Sequence, residues 1–149
     1  WKDKVGVVSP DLQSRCASVN DTAEEIVVSG LRSSIGLDES PTAHERARAR
    51  TWLARLGLHG LGGCRARELS YGQLRRALVA RALVRRRCLL LLDEPLDGLD
   101  ADARLVVASE IGNAVCDGAQ LILATHHAED VPAFVIRRLT LGPARRRAS

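Results

Sequence analysis

The sequence predicts an α/β fold built on a mostly parallel sheet. Short apolar or β-branched runs alternate with longer segments of helical periodicity, which is the order of elements that parallel sheets require. Two of these runs are continuously apolar, as strands covered on both faces are. The 149 residues are enough for one domain with a core, and their 46% hydrophobic and 27% charged content is typical of a soluble globular protein. The longest strongly apolar run, Cys88 to Leu92, is too short to span a bilayer.

The first half of the chain contains one expected strand and two expected helices. They are a strand at 5–8, closed by a loop at 9–13, and helices at 21–31 and 41–56, with a glycine-rich connector at 57–63. Asp21 and Glu24 have the spacing of a capping box for the first helix. Ser40 is the expected cap of the second helix, with Pro41 in its first turn.

The second half alternates regularly between helix and strand. We expect a helix at 71–87, a buried strand at 88–92, a helix at 100–117 entered by Asp100, a buried strand at 120–125 and one or two short strands within 134–141. The apolar stripe of helix 71–87 leaves four arginines outside it, and we expect these in solvent: Arg75, Arg76, Arg81 and Arg85.

Charge is divided unevenly along the chain. Twelve arginines and two glutamates lie at 42–87, whereas nine acids and one arginine lie at 93–130. Aromatic residues are scarce, with two Trp, one Tyr and one Phe, so the basic block is not interleaved with the rings that nucleic-acid sites use. We therefore expect solvated helix faces or phosphate contacts, and no nucleic-acid partner. The four cysteines lack C-x-x-C spacing and predict packed, reduced thiols.

Asp93 and Glu94 are adjacent carboxylates directly after a buried strand. The carboxyl edge of a parallel sheet is where such sheets bind ligands, and a buried charge needs a metal or a partner. One carboxylate can hold Mg²⁺, and the next can polarise an attacking water as a general base. A plain acidic turn is the alternative, and neighbouring motifs decide against it.

Two further motifs flank this pair. Ser70 and Gln73 have capping-box spacing at the start of helix 71–87, and Gly72 allows a close backbone approach, so the helix N-terminus is a candidate anion site. The segment Thr125-His126-His127 follows the other buried strand, which places His126 where it could contact a phosphate and an attacking water. A metal site formed by His126 and His127 is a weaker alternative.

These motifs occur in one order and at natural spacings, and together they resemble the ATP-binding cassette (ABC) ATPases. Leu69-Ser70-Tyr71-Gly72-Gln73 resembles the signature motif, and Leu89 to Pro95 resembles a Walker B strand. The run from Leu96 to Asp100 resembles a D-loop, and His126 resembles the H-loop histidine. The stretches at 7–13 and 126–132, with the signature Tyr71, are similar to the molybdate-transport (ModF) and photorepair-protein branch.

The resemblance implies a P-loop NTPase-type core with ATP and Mg²⁺ as cofactors. Asp93 would serve Mg²⁺, with Glu94 as the catalytic carboxylate and His126 as the switch histidine. The nucleotide contacts that the resemblance implies are Ser70, Gly72, Gln73, Asp100 and, less securely, Gln13. Family members form head-to-tail dimers, so a second ABC ATPase domain is the implied partner, with a membrane permease subunit as a further one, at the cytoplasmic face of the membrane.

The resemblance also divides the chain. It implies a Q-loop strand and loop at 1–20, a helical subdomain with the signature helix at 21–87, the Walker B, D-loop and H-loop part of the core at 88–141, and a basic tail at 142–149. The sequence contains no G-x-x-x-x-G-K-[ST] loop, and its only lysines are Lys2 and Lys4. We therefore expect the C-terminal portion of a nucleotide-binding domain, seen incomplete. Alone it would be inactive and marginally stable, because strand 120–125 would have an unpaired edge.

Two other functions stay open at this point. The chain could be a non-catalytic remnant, or a half that offers only its signature motif to the ATP of another subunit. A DNA-repair cassette of the coiled-coil type is a third reading, which the absence of any sustained heptad run disfavours.

Overall fold

A parallel sheet of three strands lies at the centre of the computed structural model, which describes residues 2–18 and 20–140. Within this part the strand order is β1 (Val5–Val8), β2 (Leu89–Asp93) and β3 (Gln120–Ala124). Val8 pairs with Leu92, and Asp93 pairs with Ala124, so the carboxyl ends of the strands meet at one edge. The predicted α/β class and its parallel sheet are confirmed.

Five α-helices connect the strands of the described chain. They are α1 (Pro10–Ser18), α2 (Ala23–Leu31), α3 (Ala43–Arg55), α4 (Tyr71–Leu83) and α5 (Ala101–Cys116). Helix α4 is central, since it contacts β1 and each of the other four helices. The core lies around α4, where Leu78 and Val79 are fully buried. None of the described helices combines the length and the apolar character that crossing a membrane requires.

Helix α1 occupies a segment that the sequence predicted as a loop, and that prediction is wrong. Ser9 acts as a cap, because its hydroxyl accepts a hydrogen bond from the Leu12 amide at 3.2 Å. Pro10 stands at the first helical position, where its missing N–H costs nothing. The Ser-Pro pair therefore starts a helix here rather than ending structure, and Leu12 and Cys16 bury one face of it.

The predicted caps of α2 and α3 are wrong by one and two residues. Thr22 and Glu25 form the capping box of α2, and Thr42 and Glu45 form that of α3. Several neighbouring residues in each segment can cap a helix, so tertiary contacts choose among them. A backbone bridge to Arg65 fixes Thr22, and two hydrogen bonds from the Arg32 side chain fix Glu45.

The arginine-rich end of α4 also departs from expectation. The helix ends at Leu83 instead of 87, and Arg75, expected in solvent, is fully buried. Beyond the helix, Arg87 donates to the Asp3 carbonyl at 2.9 Å and Arg86 donates to the Asp117 carbonyl at 2.8 Å. Arg87 is buried and Arg86 stays exposed, so the basic block is solvated only in part.

Strand β3 is half exposed, which corrects the prediction of a buried strand at 120–125. It pairs with β2 on one side, and within the described residues no strand pairs with its other side. Burial alternates along the strand, and Ile122 on its exposed face is 60% exposed. The short strands expected at 134–141 are wrong for 134–140, which form no strand. Instead Phe134 packs over Gly112 of α5. Residue 141 and the basic tail at 142–149 lie outside the described residues.

The four cysteines are free thiols, in agreement with the sequence. Only Cys16 is buried, however, and Cys88 and Cys116 are exposed, so packing was predicted wrongly for these two. Burial raises the pKa of the Cys16 thiol.

Candidate functional site

The carboxyl ends of β2 and β3 bring Glu94 and His126 together. The Glu94 Oε1 atom accepts the His126 backbone N–H at 2.8 Å and lies 2.6 Å from the His126 Nδ1 atom. The other carboxylate oxygen, Oε2, accepts the Thr125 hydroxyl at 3.0 Å. The Glu94 side chain is 16% exposed, whereas that of His126 is 69% exposed. Glu94 thus forms one hydrogen-bonded group at the edge of the sheet with Thr125 and His126, which lie 31 and 32 positions further along the chain.

The backbone of Glu94 is unusual. Its φ of 50° lies in the left-handed region, which costs a non-glycine residue roughly 1–2 kcal/mol. Two hydrogen bonds hold it there: the Glu94 amide donates to the Ala124 carbonyl at 2.9 Å, and the Asp97 amide donates to the Glu94 carbonyl at 3.2 Å. Strain of this kind collects where a side chain must point in one direction, so it supports Glu94 as a functional residue.

The two side chains also shift each other's protonation. Burial acts to raise the pKa of Glu94, but the hydrogen bonds from His126 and Thr125 together outweigh it, and the pKa of Glu94 is lowered. The hydrogen bond to Glu94, and then its charge, raise the pKa of His126. The carboxylate is therefore ionised, and the imidazole holds its proton more strongly than a free histidine does.

Asp93 precedes this pair on β2 and is exposed at the same edge. Among the described residues, no side-chain hydrogen bond or ion pair engages its carboxylate, and no cluster of three or more metal-binding side chains surrounds it. A single free carboxylate fits Mg²⁺, which keeps several waters and takes one or two protein oxygens beside a substrate phosphate. Within the part of the chain that the structure describes, the site does not have the donor set of a zinc or calcium cage, and the alternative metal site from His126 and His127 gains no third ligand.

The start of α4 has the predicted cap. The Ser70 hydroxyl accepts the Gln73 amide at 3.2 Å, and the Gln73 side chain accepts the Ser70 amide at 2.8 Å. The capping box is confirmed, and Ser70 remains exposed at the helix N-terminus. Gly72 has a second use: a Cβ atom there would lie 2.8 Å from the Gly98 carbonyl oxygen. The absent side chain thus lets α4 sit against the backbone of the turn that follows Glu94.

Gln13 and Asp100 are held by structural contacts. Gln13 is 5% exposed on α1, and its side-chain amide donates to the Tyr71 carbonyl at 3.2 Å, so it contacts the start of α4 and not the Glu94 pair. Asp100 caps α5, since its carboxylate accepts the Ala103 amide at 2.8 Å. Nucleotide contacts for both residues stay predictions.

Sequence reasoning missed several residues around this edge. Thr125, which fixes the second oxygen of Glu94, stands in the Thr-His-His segment but gave no sign of that partner. Asp130 is 5% exposed and paired with Arg104. Arg104 is the only arginine within the acidic segment at 93–130, and this was the available signal.

The fold and this edge together define the class of protein: an ATP-binding cassette ATPase fold. The ABC transporter family matches residues 1–97, and the chain belongs to this family. The chain is 35% identical over 144 residues to the ABC transporter ATP-binding protein ModF of Escherichia coli (strain K12). The matched stretch covers 95% of this chain and 29% of ModF.

Other relatives are similar over shorter stretches. The uncharacterized ABC transporter ATP-binding protein YlmA of Bacillus subtilis (strain 168) is 41% identical over 135 residues, or 88% of this chain and 50% of YlmA. The thiamine import ATP-binding protein ThiQ of Cereibacter sphaeroides is 41% identical over 125 residues, or 79% of this chain and 53% of ThiQ. The chain thus spans 29% to 53% of the length of these relatives.

Solved structures confirm the fold. The dimeric ATP-binding cassette MJ0796, in a post-hydrolysis state bound to ADP and Pi, matches with a TM-score of 0.70 at 22% identity, over 87% of this chain and 55% of that one. A second dimeric structure of MJ0796 matches with a TM-score of 0.71 at 23% identity over the same shares. At these identities the likeness shows the architecture alone.

Proposed function

We propose that this chain takes part in ATP binding and hydrolysis as a portion of an ABC-type nucleotide-binding domain. The observation that carries the proposal is the Glu94–His126 pair, in which a strained, ionised carboxylate and an exposed imidazole meet at the carboxyl edge of a parallel sheet. Membership of the ABC transporter family supports the same reading.

Glu94 would polarise the attacking water. An ionised carboxylate has about four lone-pair sites. Three are occupied by the two donors of His126 and by Thr125, which leaves one of them on Oε2 for a water molecule. The hydrogen bonds that the Glu94 carboxylate accepts from the His126 amide and from the Thr125 hydroxyl fix the direction of that lone pair. His126 is exposed and its pKa is raised by Glu94, and in its protonated form it would contact a phosphate oxygen as a donor.

Asp93 is the residue that would hold Mg²⁺, since its exposed carboxylate is unengaged within the described chain and stands next to Glu94. When bound, the ion would neutralise charge on the ATP phosphates. The arrangement keeps the two carboxylates separate in their tasks. One is fixed by hydrogen bonds, and the other is free to take a cation.

The start of α4 would serve a second nucleotide. Ser70, Gly72 and Gln73 form a capped helix N-terminus, where backbone amides and the helix dipole favour phosphate. We propose that they contact ATP held by a partner ABC domain in a head-to-tail dimer, and that Asp100 and Gln13 support this face. Residues 21–87 would then form the helical subdomain and residues 88–141 the catalytic part.

Replacing Glu94 with Gln in the full-length protein tests the proposal. The amide keeps the shape of the side chain but cannot act as a base, so we expect ATP turnover to fall by about 100-fold or more with ATP still bound. Glu110→Gln is the matched control, because it neutralises a glutamate that binds Arg55 between α5 and α3. Turnover that survives Glu94→Gln would remove Glu94 from this role.

For the kind of transporter and its partner, the proposal follows the relatives named above. We propose an import or stress-related cassette of the molybdate-transport and photorepair type, with a membrane permease subunit as partner at the cytoplasmic face of the membrane. A second candidate function rests on one observation, the capped N-terminus of α4 with its exposed Ser70. The chain would then supply only its signature motif. The Glu94→Gln experiment in the full-length protein distinguishes the two, since loss of turnover on that change contradicts the second.

A further inference from the structure

The Tyr71 hydroxyl connects α4 to the turn after Glu94. It lies 2.6 Å from the Arg75 Nη2 atom, one helical turn further along α4, and 3.0 Å from an oxygen of the Asp97 carboxylate. The Arg75 guanidinium also lies 5.3 Å from the centre of the Tyr71 ring. We call these three side chains, Tyr71, Arg75 and Asp97, the tyrosine latch.

The chemistry of the three groups fixes the direction of the hydrogen bonds. Arginine only donates and an ionised aspartate only accepts, so the Tyr71 oxygen accepts from Arg75 and its proton goes to Asp97. Both bonds involve a charged group, and such bonds are stronger than neutral ones. Arg75 is 0% exposed, and its Nε and Nη1 atoms have no hydrogen-bond partner in the described chain. Asp97 is thus the anion that compensates this buried cation, through the Tyr71 hydroxyl.

The backbone beneath the latch is packed tightly. The Tyr71 ring lies on Gly98, which has a φ of 70°, and a Cβ atom at Gly98 would come within 2.7 Å of the ring carbon Cε1. Gly72 contacts the Gly98 carbonyl in the same way. Leu96 and Leu99 are buried on either side of this glycine. The turn therefore rests directly on the Tyr71 ring and on the Gly72 backbone at the start of α4.

We propose that Tyr71 is a positioning residue that holds the turn at 96–99, and through it the backbone of Glu94, against the signature helix. The link to Glu94 is direct, because the amide of Asp97 donates to the Glu94 carbonyl. A shift at the start of α4 would then be transmitted to the catalytic carboxylate. This transmission to turnover depends on the proposed function, whereas the latch itself does not.

Tyr71→Phe in the full-length protein removes the hydroxyl and keeps the ring. Losing a charge-assisted hydrogen bond should raise hydrogen exchange about tenfold at the Asp97 and Leu99 amides, which are bonded within the turn. Asp97→Ala should have the same effect and Asp97→Asn a smaller one, since an amide oxygen still accepts. The chain has a single tyrosine, so a ¹³Cζ-tyrosine label gives one NMR signal, which Asp97→Ala should move.

For turnover, we expect Tyr71→Phe to lower kcat severalfold and to leave KM for ATP within about twofold, because the hydroxyl positions Glu94 and does not bind nucleotide. Glu110→Gln is the control and should change neither exchange at the turn nor kcat. Unchanged exchange at Asp97 and Leu99, or an unmoved tyrosine signal, would overturn the latch. A rise in KM with kcat intact would show direct nucleotide contact and overturn the positioning role. If the unaltered protein lacks turnover, the proposed function fails, and the exchange result still decides the latch.

Discussion

Replacing Gly6 with Ala should destabilise the protein, although strand propensity alone predicts the reverse. Glycine in a strand interior costs roughly 0.5–1 kcal/mol relative to alanine. Gly6 is the second residue of β1 and is buried beneath α4. A Cβ atom there would lie 2.7 Å from the Ala82 carbonyl oxygen and 2.8 Å from a methyl carbon of Leu90. Neither a helix backbone nor a core leucine on β2 can move freely.

The size of the expected loss in stability follows from these two close contacts. Overpacking of a well-packed core costs about 1–3 kcal/mol, and the gain from stiffening the unfolded chain offsets roughly 0.4–1 kcal/mol of it. The net loss in the free energy of unfolding should be about 1–2 kcal/mol. With a urea dependence of about 1–3 kcal/mol per molar, the midpoint should fall by roughly 1 M.

Urea unfolding followed by far-UV circular dichroism measures this loss. Gly63→Ala is the matched control, because a Cβ atom at Gly63 meets nothing within 4 Å and the exposed connector should accept it with little change. A Gly6→Ala protein as stable as the unaltered one would contradict the close packing of α4 on β1. The position of α4 over the sheet would then need revision.

Two further predictions concern pH. Hydrogen bonds from Arg32 and then from Thr42 lower the pKa of Glu45 from 4.5 to about 2, so this stabilisation is complete above pH 4.5 and is lost as pH falls toward 2. After allowance for solvent screening, Glu45→Gln should lower the free energy of unfolding by about 1–2 kcal/mol at pH 7, measured by urea unfolding. The difference between the two proteins should shrink in acid, and a difference that stays constant with pH would contradict this prediction. The pKa of His126 is raised and the pKa of Glu94 is lowered, so the stabilisation that each gives the other is complete between pH 4.5 and 6.5. It is lost as pH rises through the folded pKa of His126 and as pH falls through the folded pKa of Glu94. An NMR titration of the imidazole should show its pKa falling toward 6.5 in Glu94→Gln, and an unchanged titration would refute the pairing.

Local patterns predicted much of the fold. The bounds of β1 are as predicted, and β2 and α5 are within one residue, because an apolar run and an Asp N-cap are short-range signals. The box of Ser70 and Gln73 is equally local. Helix α1 was missed because a Ser-Pro pair begins helices as well as turns, and only the burial of Leu12 and Cys16 distinguishes the two.

In the candidate site, too, the sequence predicted what depends on neighbouring residues and missed what depends on distant ones. The sequence named Asp93, Glu94 and His126 from their positions after two strands, and parallel pairing of β2 with β3 brings the last two within hydrogen-bond distance. It could not find the Thr125 bond or the tyrosine latch. Tyr71 and Asp97 are 26 residues apart, and a bond of that span leaves no periodic trace.

By itself the sequence determined the class of fold, the order of the motifs and the chemistry that they could support, because periodicity and capping act within a few residues. The tertiary structure alone decided what is buried. It buried Arg75 and exposed Ile122, against the pattern of each segment. The reason is physical: burial depends on which surfaces the remote parts of the chain cover, and in the described residues no strand pairs with the outer edge of β3 and Ile122 stays uncovered.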